Sequence, residues 1–193
     1  MLRATAAGLS LTEVLFALSL TMAAAGAAVP AAFEVVRAMR MRAAASFVAG
    51  YLQHARVEAV TRSRIVGVRF RAVGDDWMLA TFVDTNGNGL RNADIAAGVD
   101  AVVDGEAALA ARAPSVRIAR LDGVPDVNGA AGGAAGRFGA SGIAAFDRDG
   151  SASAGSLYLT DGRTQVAVTV TPATGRVRLR RWDPRLRRWD PMR

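Results

Sequence analysis

The hydrophobic pattern of the chain begins with one long apolar run near the N-terminus. Residues 9–29 are apolar or small, with a few hydroxyl side chains and a single charged residue, Glu13. As a helix this run is about 30 Å long, which matches the hydrocarbon core of a bilayer. The pattern therefore predicts a transmembrane helix at about residues 9–32.

Apolar residues continue at helical spacing beyond this run. Phe33 and Val36 are three residues apart, and Phe47, Tyr51 and Ala55 recur every four. This period is typical of an amphipathic α-helix. We therefore expect one helix over residues 9–63, about 80 Å long, whose second half packs the stripe at 47, 51 and 55 on a soluble domain.

From residue 64 the chain changes to short runs rich in Val, Ile, Leu and Phe, separated by Gly, Asn, Asp or Pro. Such runs predict β-strands joined by short turns, and hence an antiparallel sheet. The fold class is therefore expected to be α+β, with a β domain at residues 64–182, a flexible loop at 123–142 and a basic tail at 183–193. The predicted strands are Arg64–Phe70, Trp77–Asp84, Ser115–Leu121, Ile143–Phe146, Ser156–Thr160, Gln165–Thr171 and Arg176–Trp182.

Composition adds charge to this picture. The 193 residues carry a net charge of +7, and all 24 basic residues are arginine. This usage reflects either codon preference or selection for planar guanidinium groups that bind phosphate or carboxylate. The chain has no cysteine, which excludes disulfides and thiolate metal sites.

Glu13 is the residue of the apolar run that most needs an explanation. A carboxylate in hydrocarbon costs about 3 kcal/mol, so it is expected to have a function and a partner. The alternative is a carboxylate at the lipid interface with no partner. A secretory signal peptide is a further alternative, because the small residues at 23–28 fit its cleavage site. Glu13 opposes that interpretation, since the core of a signal peptide is apolar.

The segment Gly8-Leu9-Ser10-Leu11-Thr12-Glu13 resembles the leader of type IV prepilins. The resemblance implies cleavage after Gly8 by the prepilin peptidase and N-methylation of Leu9, with Glu13 at the fifth mature position. Glu13 would then neutralise the amine of a neighbouring subunit's Leu9. Leu9 replaces the usual Phe or Met, and Thr12 stands where Ile or Leu is usual.

Charge does not support the orientation that this leader implies. Arg3 precedes the apolar run, whereas Arg37, Arg40 and Arg42 follow it. The positive-inside rule therefore favours the opposite orientation. We give the leader pattern more weight.

Three later segments resemble the GspH/FimT family of pseudopilins: the phrase within Trp77–Asp94, the helix end Ala55–Arg62 and the closing Thr174–Arg178. Together with the leader they lie in order over nearly the whole chain. The resemblance implies a pilin-like fold and a structural minor pseudopilin of a type II secretion system. It implies a single-pass inner-membrane protein with a periplasmic C-terminal domain. The implied partners are other pseudopilins or pilins, the prepilin peptidase and the inner-membrane assembly platform.

The C-terminus offers an alternative function. Residues 178–184 and 185–191 are the same heptapeptide in tandem, Arg-Leu-Arg-Arg-Trp-Asp-Pro. On a strand, Arg176, Arg178 and Arg180 share one face with spacings of about 6.7 Å, close to two steps along a nucleic-acid strand. The sequence Gly175-Arg-Val-Arg also resembles a motif of FimT-type minor pilins that bind DNA during uptake. The other interpretation is an exposed last strand followed by a solvated tail.

Two further features of the sequence resemble functional sites. Asp84, Asn86 and Asn88 have the spacing of the first three ligands of a calcium-binding loop. Ile95, however, stands at the twelfth position, where a bidentate Glu is needed. An Asn-Gly turn whose glycines have positive φ explains them better. His54, the only histidine, has no nucleophile motif around it and is expected on the helix surface. We expect no enzyme activity, no catalytic residue, no cofactor and no metal.

Overall fold

A single helix, α1, occupies Leu11–Arg62 and continues through Pro30. The computed structural model describes residues 10–139 and 141–192, except for the side chain of residue 27. The chain divides into two units at Met39 and Arg40. In the first unit, every described side chain from residue 10 to 39 is exposed except that of Arg37, which is half-buried.

The second unit begins with the remaining part of α1, which contributes one face to the core. The buried residues recur every three or four positions and are mostly small, so neighbouring strands can approach the helix closely. Of the three positions in the predicted stripe, Ala55 is fully buried and the other two lie at its edge. Phe47 and Tyr51 are only half-buried beside it, because Val48 and Leu52 face the sheets instead. The buried positions are Met41, Ala44, Ala45, Val48, Ala49, Leu52, Ala55 and Ala59.

Ten strands and two short helices follow α1 in the described residues. In chain order they are β1 Val66–Val73, β2 Asp76–Val83, α2 Asn92–Ala96, β3 Ala101–Ala108, α3 Leu109–Arg112, β4 Arg117–Ile118, β5 Gly136–Phe138, β6 Ile143–Phe146, β7 Gly155–Thr160, β8 Gln165–Thr171, β9 Arg176–Asp183 and β10 Arg188–Pro191. A 3-10 turn at Pro172–Thr174 joins β8 to β9.

The strands form two antiparallel sheets. The first has the order β3-β2-β1-β6, and the second has the order β10-β9-β8-β7-β4, with β5 also pairing with β7. Val66 and Val68 of the first sheet and Leu159 and Val168 of the second are fully buried in one cluster with Leu52 of α1. The predicted α+β class, a long N-terminal helix with antiparallel strands, is confirmed.

The structure adds strands where the sequence indicated a loop and a tail. β5 lies inside the Gly- and Ala-rich segment, because Phe138 is buried and stacks on Phe70 with ring centroids 5.5 Å apart. β10 lies inside the expected basic tail, where residues 188–191 pair with β9. The tail is therefore part of the second sheet through Pro191.

Candidate functional site: the start of the long helix and the arginine strand

The predicted processing site lies outside the described residues. Gly8 and Leu9, the expected cleavage and methylation positions, precede the first described residue, Ser10. The third predicted residue of this region, Glu13, lies in the first turn of α1.

Ser10 and Glu13 cap the start of α1 reciprocally. The backbone N–H of Ser10 donates to Glu13 Oε2 at 3.1 Å, and the backbone N–H of Glu13 donates to Ser10 Oγ at 3.2 Å. This arrangement is a capping box, which satisfies N–H groups that a helix start leaves without partners. The sequence signal for it, Ser-x-x-Glu, was missed. Glu13 therefore has a partner within its own chain.

An apolar depression of about 320 Å³ adjoins Glu13 on the surface of α1. Its lining includes Val14, Ala17 and Leu18, with Thr21 at the far end. Thr21 Oγ1 donates to the carbonyl oxygen of Leu18, so the hydroxyl is satisfied within the helix. The carboxylate thus stands at the edge of an exposed apolar surface.

The arginines predicted as a DNA contact lie on β9. Arg176 and Arg178 are exposed and Arg180 is half-buried, whereas Val177 and Leu179 pack against the core. Alternate residues of a strand point to opposite faces, so the three arginines share the outer face of the second sheet. In the ladder, Arg178 stands opposite Thr169 and Arg176 opposite Thr171 of β8.

The glycine that precedes this strand is required by the fold. Gly175 has φ of 58°, in the left-handed region that favours glycine. A Cβ at this position would collide with the carbonyl oxygen of Gly150 and lie 2.9 Å from Arg56 Nε. Arg56, on α1, donates from Nε to that same carbonyl at 3.2 Å. Because Gly175 has no side chain, β9 can begin next to the hydrogen bond between Arg56 and Gly150.

The tandem heptapeptide folds back on itself as the β9–β10 hairpin. Asp183 Oδ1 closes the turn by accepting the backbone N–H of Arg185 at 2.8 Å and of Leu186 at 3.1 Å. The hydrogen bond from Leu186, followed by that from Arg185, holds the pKa of the Asp183 carboxyl below its ordinary value. The charged form of Asp183 therefore stabilises the turn.

Trp189 attaches the hairpin to a neighbouring loop. Its Nε1–H donates to the carbonyl oxygens of Pro125 and Asp126, at 3.3 and 3.1 Å. Its ring lies 5.8 Å from the ring of Tyr158, whose hydroxyl accepts the backbone N–H of Val127 at 3.0 Å. The second copy of the heptapeptide thus holds part of the Gly-rich segment in place.

With the fold and these surfaces described, comparison with known proteins assigns the chain to a family. The family model for the type II transport protein GspH matches residues 44–175, more than half of the chain. The chain belongs to the GspH family. No curated protein and no solved structure matches it.

Membership of the GspH family confirms the resemblance seen in the sequence. The family supports a pseudopilin or pilin-like role in type II secretion, in association with other pseudopilins. Its proteins are structural and membrane-associated, and α1 is long and apolar enough to cross a membrane. The match begins after Glu13 and ends before Arg176, so it covers neither candidate site.

The calcium-like segment of this GspH-family chain forms a tight turn. The buried Asp84 accepts the N–H of Gly87 through Oδ1 and of Gly89 through Oδ2, both at 2.8 Å. Both glycines have positive φ, as the turn interpretation requires. Arg64 Nη1 donates to the carbonyl oxygens of Asp84 and Thr85. The backbone and a guanidinium thus occupy oxygens that a cation would otherwise use.

His54 lies on the surface of α1 and contacts carboxylates. Its Nδ1 is 3.0 Å from Asp104 Oδ2 on β3, and its Nε2 is 3.6 Å from Glu58 Oε1. One helical turn earlier, burial raises the pKa of Tyr51, and the charge of Asp104 raises it further. The contact between His54 and Asp104 ties α1 to β3. Among the described residues, no group of three or more His, Asp and Glu side chains is placed to hold a metal.

Proposed function

We propose that this GspH-family protein is a minor pseudopilin of a type II secretion system. In this proposal the peptidase cleaves after Gly8 and Leu9 is N-methylated. The first part of α1 holds the subunit in the inner membrane, with the β domain in the periplasm. The subunit then enters the periplasmic pseudopilus that supports protein export across the outer membrane, and it acts as a structural component rather than an enzyme.

The observation that carries the proposal is the exposed apolar surface of the first unit. A soluble protein rarely exposes so large a continuous apolar surface, so this surface supports burial of the helix in a bilayer or among neighbouring helices. None of the most apolar 18-residue stretch of α1 is buried. The exposed large side chains are Leu11, Val14, Leu15, Phe16, Leu18, Leu20, Met22, Val29, Phe33, Val35, Val36 and Met39.

Glu13 supports the assembly step. Its capping hydrogen bonds reach Oε2, and among the described residues none reaches Oε1. The helix cap thus orients the carboxylate and leaves an oxygen to accept from the amine of a neighbouring Leu9. A charge placed in an apolar filament is stable only when it is paired, so this contact would select the assembled state.

Isolation of assembled complexes tests this proposal. The tagged full-length chain is crosslinked in cells that carry its secretion system, and the other pseudopilins recovered with it are quantified. We expect Glu13→Gln to reduce recovery strongly, because a neutral amide cannot neutralise the amine. The matched variant Glu34→Gln removes an exposed carboxylate from the same helix and is expected to leave recovery unchanged. Equal recovery with Glu13→Gln would contradict the proposal.

A second candidate function is the capture of DNA by the outer face of β9. The observation that favours it is the alternation that exposes Arg176 and Arg178 beside the hydroxyl residues Thr171 and Thr169. Guanidinium and hydroxyl groups are common donors to phosphate oxygens. A flat strand of arginines would contact the backbone of DNA without reading its bases.

A salt titration of DNA binding by the full-length chain tests the second function. Binding at low salt is expected to weaken steeply as salt rises. The double variant Arg176→Gln/Arg178→Gln is expected to lower both the affinity and the salt slope. The control Arg91→Gln/Arg148→Gln removes two exposed arginines elsewhere. The two double variants therefore have the same net charge as each other. An equal loss in both variants, or no binding at low salt, would exclude a site on β9.

A further inference from the structure

The hairpin formed by the tandem repeat is self-complementary. In the β9–β10 register, Trp182 faces Trp189, Asp183 faces Arg188 and Arg181 faces Asp190. The triplet Arg-Trp-Asp therefore pairs with an identical antiparallel triplet. Each arginine stands opposite an aspartate in this register, and the two tryptophan rings are in contact between them.

β10 presents this triplet at the open edge of the second sheet. Its only strand partner among the described residues is β9. The N–H of Met192 donates to the carbonyl oxygen of Leu179, which marks these residues as a hydrogen-bonded pair. Because such pairs alternate with non-hydrogen-bonded pairs, Arg188 and Asp190 point their backbone groups toward β9 and Trp189 points its own outward. The free edge therefore offers the N–H and C=O of Trp189.

We propose that β10 pairs antiparallel with β10 of a second copy of this chain, centred on Trp189. The two Trp189 residues exchange two backbone hydrogen bonds. Arg188 of each copy faces Asp190 of the other. The second sheets of the two copies thereby join into one continuous sheet. The pairing is isologous, because the same strand contributes both sides of the contact.

The charges along this edge favour a second copy of the chain as the partner of β10. Two chains with a net charge of +7 repel one another, and a register centred on Arg188 would place arginine against arginine at this edge. Centring on Trp189 instead gives two opposite-charge pairs, between the same residue types that stand opposite one another in the β9–β10 register. Within one chain, Arg188 Nε lies 2.8 Å from Asp190 Oδ1 of the same strand, and the proposed contact places a second opposite charge beside each of them. Exposed ion pairs bind weakly, so these contacts fix register and orientation. Pro191 has no N–H and restricts the pairing to a short stretch.

Crosslinking between two single-cysteine variants tests the proposal, because the natural chain has no cysteine. Arg188→Cys and Asp190→Cys are purified as full-length chains in detergent and oxidised, separately and as an equimolar mixture. In the proposed register, position 188 of one chain faces position 190 of the other as a non-hydrogen-bonded pair, within reach of a disulfide. We expect a disulfide dimer in the mixture and little in either sample alone. The other Arg188–Asp190 ion pair stays intact in this mixed dimer.

The controls separate this pairing from association through α1 in a micelle. Arg176→Cys and Arg178→Cys lie on the part of β9 that pairs with β8 and not with β10, away from the proposed contact, and their mixture is expected to give little dimer. Equal crosslinking in the single-variant samples, or none in the 188/190 mixture, overturns the proposal.

A measurement on the unaltered chain covers the case in which a variant misfolds. Hydrogen exchange of the segment at 186–192 is followed by mass spectrometry over a range of protein concentrations. Pairing protects the outward N–H of Trp189, so we expect exchange to slow as concentration rises. Exchange that is independent of concentration overturns the proposal.

Discussion

Trp189 of β10 lies directly opposite Trp182 of β9, and their rings meet edge to face with centroids 5.5 Å apart. The second copy of the heptapeptide therefore has a structural role. It adds a strand to the sheet that carries the arginines, and it fixes a loop through the Trp189 indole. Arg176 and Arg178 are held on the sheet face by pairing with β8, and β10 extends the same sheet beyond the end of β9 that follows them.

Replacing Trp189 with alanine is expected to lower the free energy of unfolding by about 2 kcal/mol. The change removes two aromatic contacts and a half-buried indole that donates to two carbonyl oxygens. Urea denaturation checks the value. The control Leu186→Ala alters an exposed side chain of the same hairpin and is expected to change stability by less than about 0.5 kcal/mol. A loss no larger than this control would show that Trp189 does not fix the hairpin.

Acidification is expected to weaken the hairpin through Asp183. Hydrogen bonds from the N–H groups of Leu186 and Arg185 lower its pKa in the folded state. A group with a lowered folded pKa contributes fully above its unfolded value of 3.8. That contribution is lost as the pH falls through the folded value.

Near-ultraviolet circular dichroism of the Trp182–Trp189 pair follows this titration. Asp183→Asn should weaken the hairpin at neutral pH, since a neutral amide accepts hydrogen bonds less strongly. It should also reduce the loss on acidification. An acid transition of the tryptophan signal that is identical in both proteins would rule out Asp183 as its source.

Removing the carboxylate of Asp84 is expected to destabilise the β domain by about 2–3 kcal/mol, because the N–H groups of Gly87 and Gly89 lose their acceptors. Asp84→Asn is expected to lose nearly as much as Asp84→Ala, since an amide can accept from only one of the two donors. Thermal unfolding compares both with Asp75→Asn, which changes an exposed carboxyl. Wild-type stability in Asp84→Asn would contradict this role.

Truncation of Leu52 tests the contact between α1 and the sheets. Leu52 is fully buried, so Leu52→Ala is expected to cost about 2–5 kcal/mol, depending on how far the core relaxes. Val57→Ala is the matched change on the exposed side of the same helix and is expected to have little effect. Denaturant midpoints check the pair, and equal losses would place the core on a different helix face.

The elements that the sequence predicted are those with local signals. α1 contains a long run of apolar residues, and β8 has alternating Val residues bounded by turns. β3 was missed because it is an edge strand of mostly small and charged residues. The prediction of the α1 stripe included the buried Ala55 but not Val48 and Leu52, because the core face is rich in alanine and the larger Phe47 and Tyr51 lie at its margin.

The candidate sites show the same limit. The alternation of Arg176, Arg178 and Arg180 follows from strand geometry alone, and the structure places them on one face. The strand status of residues 188–191 depends on pairing with an identical copy seven residues earlier. A local pattern gives no information about such a pairing. From the sequence, the segment was therefore interpreted as a basic tail.

The mature N-terminus tests the central claim most directly. The full-length protein is expressed in its host, extracted from the membrane fraction and analysed by intact-mass and N-terminal peptide mass spectrometry. The account predicts a chain that begins at Leu9 and carries one methyl group on its amine, with Glu13 as the fifth residue. An N-terminus near Ala28, as a signal peptidase would produce, or an unprocessed Met1 would contradict it.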